Sequence, residues 1–190
     1  MRFYICKMNE MNSFQHLLEM CRKQNTKACL LFYKMFSQRV YNTCLRIVNH
    51  RMEAEEIMQE VFLKTFDTLS YFSGDEKAMQ GFIGKIAINK SIDRLRRKNS
   101  TLLFLDDMEI DIAEPMEELD NENMKIELIK EKMKLLPPGY RLVLTLHLIE
   151  EMNYEEIAQQ LSIKSSTVRS QYVRGIRRLR EELKEKNHNR

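Results

Sequence analysis

The stretch NYEEIAQQLSIKSSTVRSQYVRGIRRLREEL, residues 153–183, decides the fold of the C-terminal half of the chain. Asn153 is a typical N-cap residue, and Glu156 follows three positions later, as in a capping box. Three apolar residues give the short helix that begins there its buried side: Ile157, Ala158 and Leu161. Ala158 is small, which favours close approach of a neighbouring helix. The segment Ser162-Ile163-Lys164 then predicts a turn.

A second helix is predicted after that turn. Its apolar residues recur in steps of four, four, three and four, so they share one face: Val168, Tyr172, Ile176, Leu179 and Leu183. The other side carries hydroxyl, amide and guanidinium groups: Ser166, Thr167, Arg169, Ser170, Gln171, Arg174, Arg177 and Arg178. Arg and Gln can pair bidentately with base edges, and Ser and Thr can bind phosphates. With Pro138 at the start of a preceding helix, residues 135–183 predict a helix-turn-helix that binds duplex DNA rather than a surface helix of an ordinary bundle.

Three further helical patterns lie in residues 26–98. In the first, apolar residues recur at near-helical spacing: Leu30, Leu31, Met35, Val40, Tyr41, Leu45 and Val48. The second pattern is regular and predicts an amphipathic helix: Ala54, Ile57, Met58, Val61, Phe62, Thr65 and Leu69. Its opposite side carries Glu53, Glu56, Gln59 and Glu60. By periodicity alone, that side indicates a solvated face.

The third pattern follows a loop over residues 71–75, which its Ser-Gly-Asp content indicates. A helix is predicted to begin near Glu76, with a buried side formed by Met79, Phe82, Ile83, Ile86, Ile92 and Leu95. Its second half is basic: Lys85, Lys90, Arg94, Arg96, Arg97 and Lys98. Such a helix could contact phosphates and bases, or it could be a charged surface; the residues alone leave both open.

Composition narrows the class of protein. The 190 residues are 43% hydrophobic and 31% charged, with only 5 Gly and 3 Pro, which favours a helix-rich protein. Four cysteines occur without a CxxC pair, so reduced thiols are expected rather than a zinc site. We find no catalytic triad, metal cluster or phosphate loop in the pattern, and we expect no enzyme activity, cofactor or small-molecule substrate. With neither a signal peptide nor a membrane-length apolar run, the expected location is the cytoplasm, without membrane insertion.

The charge pattern divides the chain. Residues 106–122 carry nine acids and no bases, whereas residues 164–190 carry nine bases and three acids. A flexible acidic linker is therefore predicted over residues 99–123, between two small all-α domains. Residues 26–98 form the first domain and residues 124–186 the second, a winged-helix-like four-helix unit. Residues 1–25 are an N-terminal extension, with Met8 and Met11 as alternative starts, and residues 187–190 are a tail.

Several of these segments resemble one family. The segments LPPGYR (136–141), NYEEIA (153–158) and TVRS (167–170) resemble region 4 of bacterial sigma factors of the sigma-70 family, closest to the extracytoplasmic-function (ECF) group. AEEIMQEVF (54–62) resembles region 2.2, and residues 81–98 resemble regions 2.3 and 2.4. Together the matches cover about residues 26–98 and 124–184. The presence of both sets in this order is far more specific than either alone.

This resemblance implies partners and roles. Glu53, Glu56, Gln59 and Glu60 would face the β′ clamp helices of core RNA polymerase, and region 4 would meet the β flap. Residues on the third helix, with the loop Phe72–Lys77, would hold the separated −10 element: Lys85, Asn89, Lys90, Asp93, Arg94, Arg96 and Arg97. The C-terminal recognition helix would read the −35 element as duplex. The acidic linker would run through the RNA channel of the polymerase, and an anti-sigma factor would be a further partner.

The sequence departs from the family pattern at three positions. Phe82 stands where Trp is usual, Ser162 where the turn usually has Gly, and Lys164 where Ser usually caps the recognition helix. Ser165 is expected to take over the cap and to shift the helix start by one residue. The family's aromatic wedges are not evident, so capture of a flipped base in the loop is expected to support melting.

The sequence thus predicts a dissociable initiation factor that brings core RNA polymerase to a promoter with −10 and −35 elements. Two other classes remain open. One is a free-standing helix-turn-helix regulator that binds DNA without acting as a polymerase subunit. The other is an interaction protein that sequesters a partner, although the full Arg/Gln face argues against it.

Overall fold

A computed structural model describes residues 14–98 and 126–184, which are helical and divide into two units, one ending at Arg94 and the other beginning at Leu95. The first unit contains α1 (residues 14–22), α2 (Thr26–Val48), α3 (Arg51–Thr68), a 3₁₀ turn (Leu69–Tyr71) and all but the last four residues of α4 (Glu76–Lys98). The second contains α5 (Ile126–Leu135), α6 (Pro138–Leu148), α7 (Tyr154–Leu161) and α8 (Ser165–Lys184). No strand occurs within these two ranges, and the predicted all-α class is confirmed.

Aromatic packing forms the core of the first unit. The rings of Phe32 and Phe36 lie 4.9 Å apart, and Phe32 also meets Phe66 of α3 at 5.5 Å. The buried stripe of α2 therefore contains Phe32, Phe36, Val40, Cys44 and Ile47. Three residues of the predicted α2 stripe lie outside it: Leu30, Leu31 and Met35 are 54%, 52% and 41% exposed. The apolar residues of α2 occupy two adjacent sides of the helix, and both sides have near-helical spacing. The side that carries the phenyl rings of Phe32 and Phe36 is the buried one.

The α3 pattern is confirmed, whereas the α4 pattern is confirmed in part: Met79, Ile83, Ile92 and Leu95 are buried, but Phe82 and Ile86 are half-buried. In α3 the predicted residues Ala54, Ile57, Val61, Phe62 and Thr65 are all buried. Helix α4 begins at Glu76, as expected. Asp75 caps α4, because its Oδ1 accepts a 2.7 Å hydrogen bond from the amide of Ala78 and its carbonyl accepts one from Met79.

Helix α1 is an integral part of the first unit. Phe14, Leu18 and Cys21 are buried, and the rings of Phe14 and Phe36 lie 6.4 Å apart with their planes nearly perpendicular. The folded part therefore begins well before residue 26. The predicted N-terminal extension over residues 1–25 is too long by at least the length of α1. Its first part, residues 1–13, lies outside the described residues.

In the second unit, α8 packs against α5, α6 and α7. Its contact with α6 depends on Gly175, where a Cβ would lie 3.2 Å from Leu144 Cγ and from Tyr140 Cβ. Arg141 of α6 is buried, and its Nη1 donates to the carbonyl of Leu136 at 2.8 Å. Burial lowers the pKa of Arg141 from its ordinary value. This guanidinium joins the end of α5 to the start of α6.

The capping box that the sequence predicts is present. The amide of Glu156 donates to Asn153 Oδ1 at 2.9 Å, and the amide of Asn153 donates to the Glu156 carboxylate at 2.8 Å. Ser162 adopts the left-handed conformation expected of Gly, with φ 57°. The amide of Ile163 reaches back to the carbonyl of Ala158, which closes a Schellman turn.

The start of α8 differs from the prediction. Ser165 is the first helical residue, and the carbonyl of Lys164 accepts from the amide of Val168. Lys164 therefore occupies the cap position, and Ser165 does not cap the helix. Its hydroxyl instead donates to the carboxylate of Glu155 at 3.3 Å. The expected shift of the helix start by one residue is wrong, since the Schellman turn already fixes where α8 begins.

The remaining predictions fall partly outside the described ranges. The acidic linker (99–123) and the tail (187–190) lie outside them. Within the described residues, no helix is long and apolar enough to cross a membrane, and no cluster of three metal-ligating side chains occurs. Cys21, Cys29 and Cys44 are free thiols. Burial, followed by the neighbouring Cys29, raises the pKa of Cys21 to about 12, so this thiol stays protonated and unreactive.

Candidate nucleic-acid interface

One face of α8 presents polar side chains to solvent. Ser166, Arg169 and Arg177 are exposed, whereas Thr167, Ser170 and Arg174 are half-buried. Ser166, Ser170 and Arg177 lie close to one line along the helix because they are spaced by four and seven residues. Arg169 and Arg174 flank that line. This arrangement fits a helix whose first two turns enter the major groove.

Gln171 does not belong to this face. It is only 3% exposed, so the prediction that it lies on the exposed side beside the arginines is wrong. It follows the buried Val168 by three residues and precedes the buried Gly175 by four, so it shares their side of α8. The buried arc is wider than the apolar residues alone indicate, because α6 packs against α8 at Gly175. Val173, half-buried between Arg169 and Arg177, is a face residue that the polar pattern missed.

An aromatic cluster supports the N-terminal half of α8. The rings of Tyr154 and Tyr172 lie 5.7 Å apart, and His147 contacts both at 4.7 and 5.0 Å. The Arg169 guanidinium lies over the Tyr154 ring, 5.9 Å from its centroid, which is a cation–π distance. Burial raises the pKa of Tyr154 and of Tyr172, so both phenols stay neutral. The cluster gives Arg169 an apolar support at the edge of the recognition face.

Acids and bases on α3 and α4 are paired with each other. Lys90 Nζ lies 2.8 Å from Glu60 Oε2, and Arg94 bridges Glu56 at 2.8 Å and Glu60 at 3.3 Å. Glu56 and Glu60 belong to the set predicted to face polymerase, and Lys90 and Arg94 to the set predicted to face the −10 element. The two predicted surfaces are therefore adjacent and share charges. Helical periodicity on one helix could not reveal a partner on another.

These pairs shift the pKa values of their members. The hydrogen bond from Lys90 lowers the pKa of Glu60, with the charges of Lys90 and Arg94 adding to it. The hydrogen bond to Glu56 raises the pKa of Arg94. Because Glu60 remains 44% exposed, the pairing is only moderately strong. The Glu60 carboxylate and the cations that pair with it can therefore change partners without a large desolvation cost.

The other predicted residues of the first unit occupy the same helices. Glu53 and Gln59 lie on α3, Glu53 half-buried in its first turn and Gln59 exposed. On α4, Lys85, Asp93 and Arg97 are exposed, whereas Asn89 and Arg96 are half-buried. The structure thus brings the −10 set onto one helix, and it places the polymerase set on the helix beside it.

The 3₁₀ turn and the loop that joins it to α4 carry two aromatic residues of different exposure. Tyr71 is 89% exposed, whereas the ring of Phe72 packs on Phe82 at 5.5 Å. Gly74 fits tightly, since a Cβ there would lie 2.9 Å from Ala78 Cβ. Phe82, which stands where the family usually has Trp, therefore supports the loop. Tyr71 is an exposed aromatic residue beside this loop that the sequence analysis did not single out.

Comparisons with known proteins agree with this architecture. The profile for sigma-70 region 2 matches residues 32–101, and the profile for sigma-70 region 4 matches residues 126–179. The chain belongs to the sigma-70 family, in its ECF group. It is a promoter-directing sigma factor of RNA polymerase, and the free-standing regulator is not favoured.

Two curated relatives of this sigma factor are ECF sigma factors of Bacillus subtilis. SigW is 28% identical over 164 residues, which covers 80% of this chain and 86% of SigW. SigM is 26% identical over 149 residues, covering 78% and 90%. Among solved structures, the sigma factor RpoE of Bartonella quintana, in complex with the anti-sigma factor NepR, has a TM-score of 0.51 at 16% identity. The structural match covers 81% of this chain and 95% of RpoE, and it supports the all-α fold.

Proposed function

We propose that α8 reads the −35 element of the promoter as duplex DNA through its exposed polar face. The observation that supports this is the combination of a capped helix, a Schellman turn and a second helix whose face bears Ser166, Arg169, Ser170, Arg174 and Arg177. Arg169 and Arg174 would contact base edges, and the hydroxyls of Ser166, Thr167 and Ser170 would contact phosphates. Arg178 pairs with Glu181 and Glu182 farther along α8. We assign it no base contact.

In the first unit, we propose that Glu53, Glu56, Gln59 and Glu60 bind the β′ clamp helices of core polymerase. The adjacent α4 would hold the −10 element, with Lys85, Lys90, Arg94, Arg96 and Arg97 near phosphates and Asn89 and Asp93 near bases. The exposed side chains on α3 and the ion pairs to α4 support this assignment. The surface for polymerase and the surface for the −10 element would then adjoin at the ion pairs that Glu56 and Glu60 form with Lys90 and Arg94.

The partners follow from these surfaces. Core polymerase supplies the bond-making chemistry, so we propose that this sigma factor is not itself an enzyme and acts in the cytoplasm. The region 4 unit would also contact the β flap. Since RpoE was solved with the anti-sigma factor NepR, we propose that an anti-sigma factor regulates this chain as well. That partner would cover one or both promoter-binding faces.

Run-off transcription with purified core polymerase tests the proposal. The full chain should direct initiation from promoter fragments that contain both elements, and scrambling either element should abolish the transcript. A matched binding assay without polymerase should show weak promoter binding, because each unit contacts only one element. Tight, specific promoter binding by the chain alone, without initiation in the presence of core, would contradict the proposal.

A further inference from the structure

Residues 69–74, which lead into the loop that would hold the −10 element, accept hydrogen bonds on their backbone from side chains of helix α1. Arg22 Nε donates to the carbonyl of Leu69 at 2.9 Å, and Arg22 Nη2 donates to the carbonyl of Phe72 at 2.6 Å. Gln15 Nε2 donates to the carbonyl of Gly74 at 2.7 Å. Two side chains of α1 that are seven residues apart thus bind three backbone carbonyls of one six-residue segment, residues 69–74.

The chemistry of Arg22 suits this contact. A guanidinium is a planar fork whose donors keep a fixed geometry, so it can bridge two carbonyls at once. Lysine has a single ammonium point charge and cannot reproduce both bonds in the same orientation. Hydrogen bonds from a charged donor are stronger than those between neutral groups. Arg22 is therefore suited to fixing the path of the backbone from Leu69 to Phe72.

The same loop presents its other side to solvent. Tyr71 is 89% exposed and Ser73 is also exposed, while the carbonyls on either side of them are held by α1. On the opposite flank, the ring of Phe72 rests on Phe82 of α4, and Gly74 lies close to Ala78. The loop is thus fixed from two sides, which leaves its exposed side chains in a defined position.

We propose that Arg22 and Gln15 are positioning residues for recognition of the −10 element. They hold the backbone of residues 69–74 in the shape that accepts a separated base, and they do so without contacting DNA. The inference rests on the function proposed above. A site that recognises a base must be held to a fraction of an ångström, so loss of an anchor reduces the discrimination between bases more than it reduces overall binding.

Holoenzymes containing Arg22→Lys or Gln15→Glu test this inference. The lysine cannot bridge both carbonyls, and the glutamate cannot donate to Gly74. Initiation is measured on promoters that carry each of the four bases at each −10 position, and on a parallel set that varies the −35 element. We expect Arg22→Lys to reduce −10 discrimination about tenfold, as expected for one lost charged hydrogen bond. Preference at −35 and affinity for core should not change.

Arg39→Lys is the matched control. Arg39 joins α2 to α4 through a 3.4 Å contact with the Gln80 side chain, and not through the carbonyls that Arg22 and Gln15 bind, so this variant should retain −10 discrimination. Thermal unfolding of each variant reports any loss of fold, and Gln15→Glu decides the outcome if Arg22→Lys is unstable. Unchanged base preference in both α1 variants, even with less transcription, would overturn the inference. A wild-type holoenzyme without any −10 preference would overturn the proposed function itself, together with this inference.

Discussion

The two units of this sigma factor hold their charged surface residues differently. In the first unit, Lys90 and Arg94 of α4 pair with Glu56 and Glu60 of α3. The paired residues lie 30 to 38 positions apart in the sequence. In the second, Arg178 pairs with Glu181 and Glu182 along α8 itself. Lys132 joins α5 to Glu182 at the same end of α8. These second-unit pairs lie away from the first turns of the recognition helix.

This difference teaches where function and fold can be separated. In the first unit, a change of charge affects a predicted polymerase contact, a predicted DNA contact and the α3–α4 packing together. In the second unit, the reading residues lie on one face of α8, and the packing depends on the opposite face. The predictions below test this contrast from the largest expected effect to the smallest.

The largest effect is expected from Gly175→Val. The new side chain would begin 3.2 Å from Leu144 and Tyr140 and would push α8 away from α6. Overpacking of this kind costs roughly 1–3 kcal/mol of unfolding free energy. We expect a lower melting temperature and loss of −35-dependent transcription, with core binding through the first unit retained.

The matched control for Gly175→Val is Gly81→Val, because nothing lies within 4 Å of a Cβ at Gly81. Valine is a somewhat better helix former than glycine, so this variant should match or slightly exceed the wild-type stability. Equal destabilisation by both substitutions would show that the α6–α8 contact at Gly175 does not determine the result. Loss of core binding in Gly175→Val would contradict the independence of the two units.

Arg169→Ala and Gln171→Ala should separate reading from folding. Loss of one bidentate base contact costs roughly 1–3 kcal/mol, so Arg169→Ala should reduce −35 discrimination about tenfold or more with little change in stability. Gln171 is buried, so its truncation should lower stability by about 1 kcal/mol and leave the base preference unchanged. Promoter-panel transcription and urea unfolding of both variants measure the two effects. The reverse assignment of effects would place Gln171 on the reading face.

Glu60→Gln should change two functions in opposite directions. Affinity for core should fall by up to about fivefold, the range of an exposed charge contact. Binding of the free protein to single-stranded −10 DNA should rise, because Lys90 and Arg94 lose a carboxylate partner. Fluorescence anisotropy with labelled core and labelled oligonucleotide measures both. Glu55→Gln removes an exposed glutamate of α3 that is not part of the pairs with Lys90 and Arg94, and it serves as the control. A fall in both affinities would mean that the ion pair only supports the fold.

The smallest expected effect is on the pH dependence of stability. The folded-state pKa of Glu60 is lowered, chiefly by Lys90, so its pairing stabilises the fold above the ordinary carboxyl pKa of about 4.3. That contribution should be lost as the pH falls through the lowered folded-state value. Urea midpoints of wild type and Glu60→Gln, measured from about pH 6 to about pH 3, should therefore converge in acid. A constant difference across this range would contradict the pairing.

Local features of the fold were predictable from the sequence. The capping box of Asn153 and Glu156, the start of α6 at Pro138 and the stripe of α3 were all confirmed. Each depends on residues within one or two helical turns, so the chain near them determines their conformation. Ser162, which stands where the turn usually has Gly, takes the left-handed conformation that glycine favours.

Features that depend on distant partners were not predictable in this way. The buried arc of α8 includes Gln171 because α6 packs at Gly175, and periodicity in α8 alone gives no sign of α6. Helix α1 was assigned to an extension because its role depends on contacts with residues about 50 positions away, such as Arg22 with Phe72. The roles of individual site residues in polymerase and promoter binding stay predictions.

The ion pairs between α3 and α4 also have a consequence for the free protein in a cell. A genome offers roughly 10⁶–10⁹ non-specific sites, and a protein occupies them through cations that displace counterions from phosphates. Lys90 and Arg94 lie against carboxylates, so fewer uncompensated cations face bulk DNA. We expect the first unit to spend correspondingly less time on random sequence. More of the free sigma factor then remains available to search for polymerase.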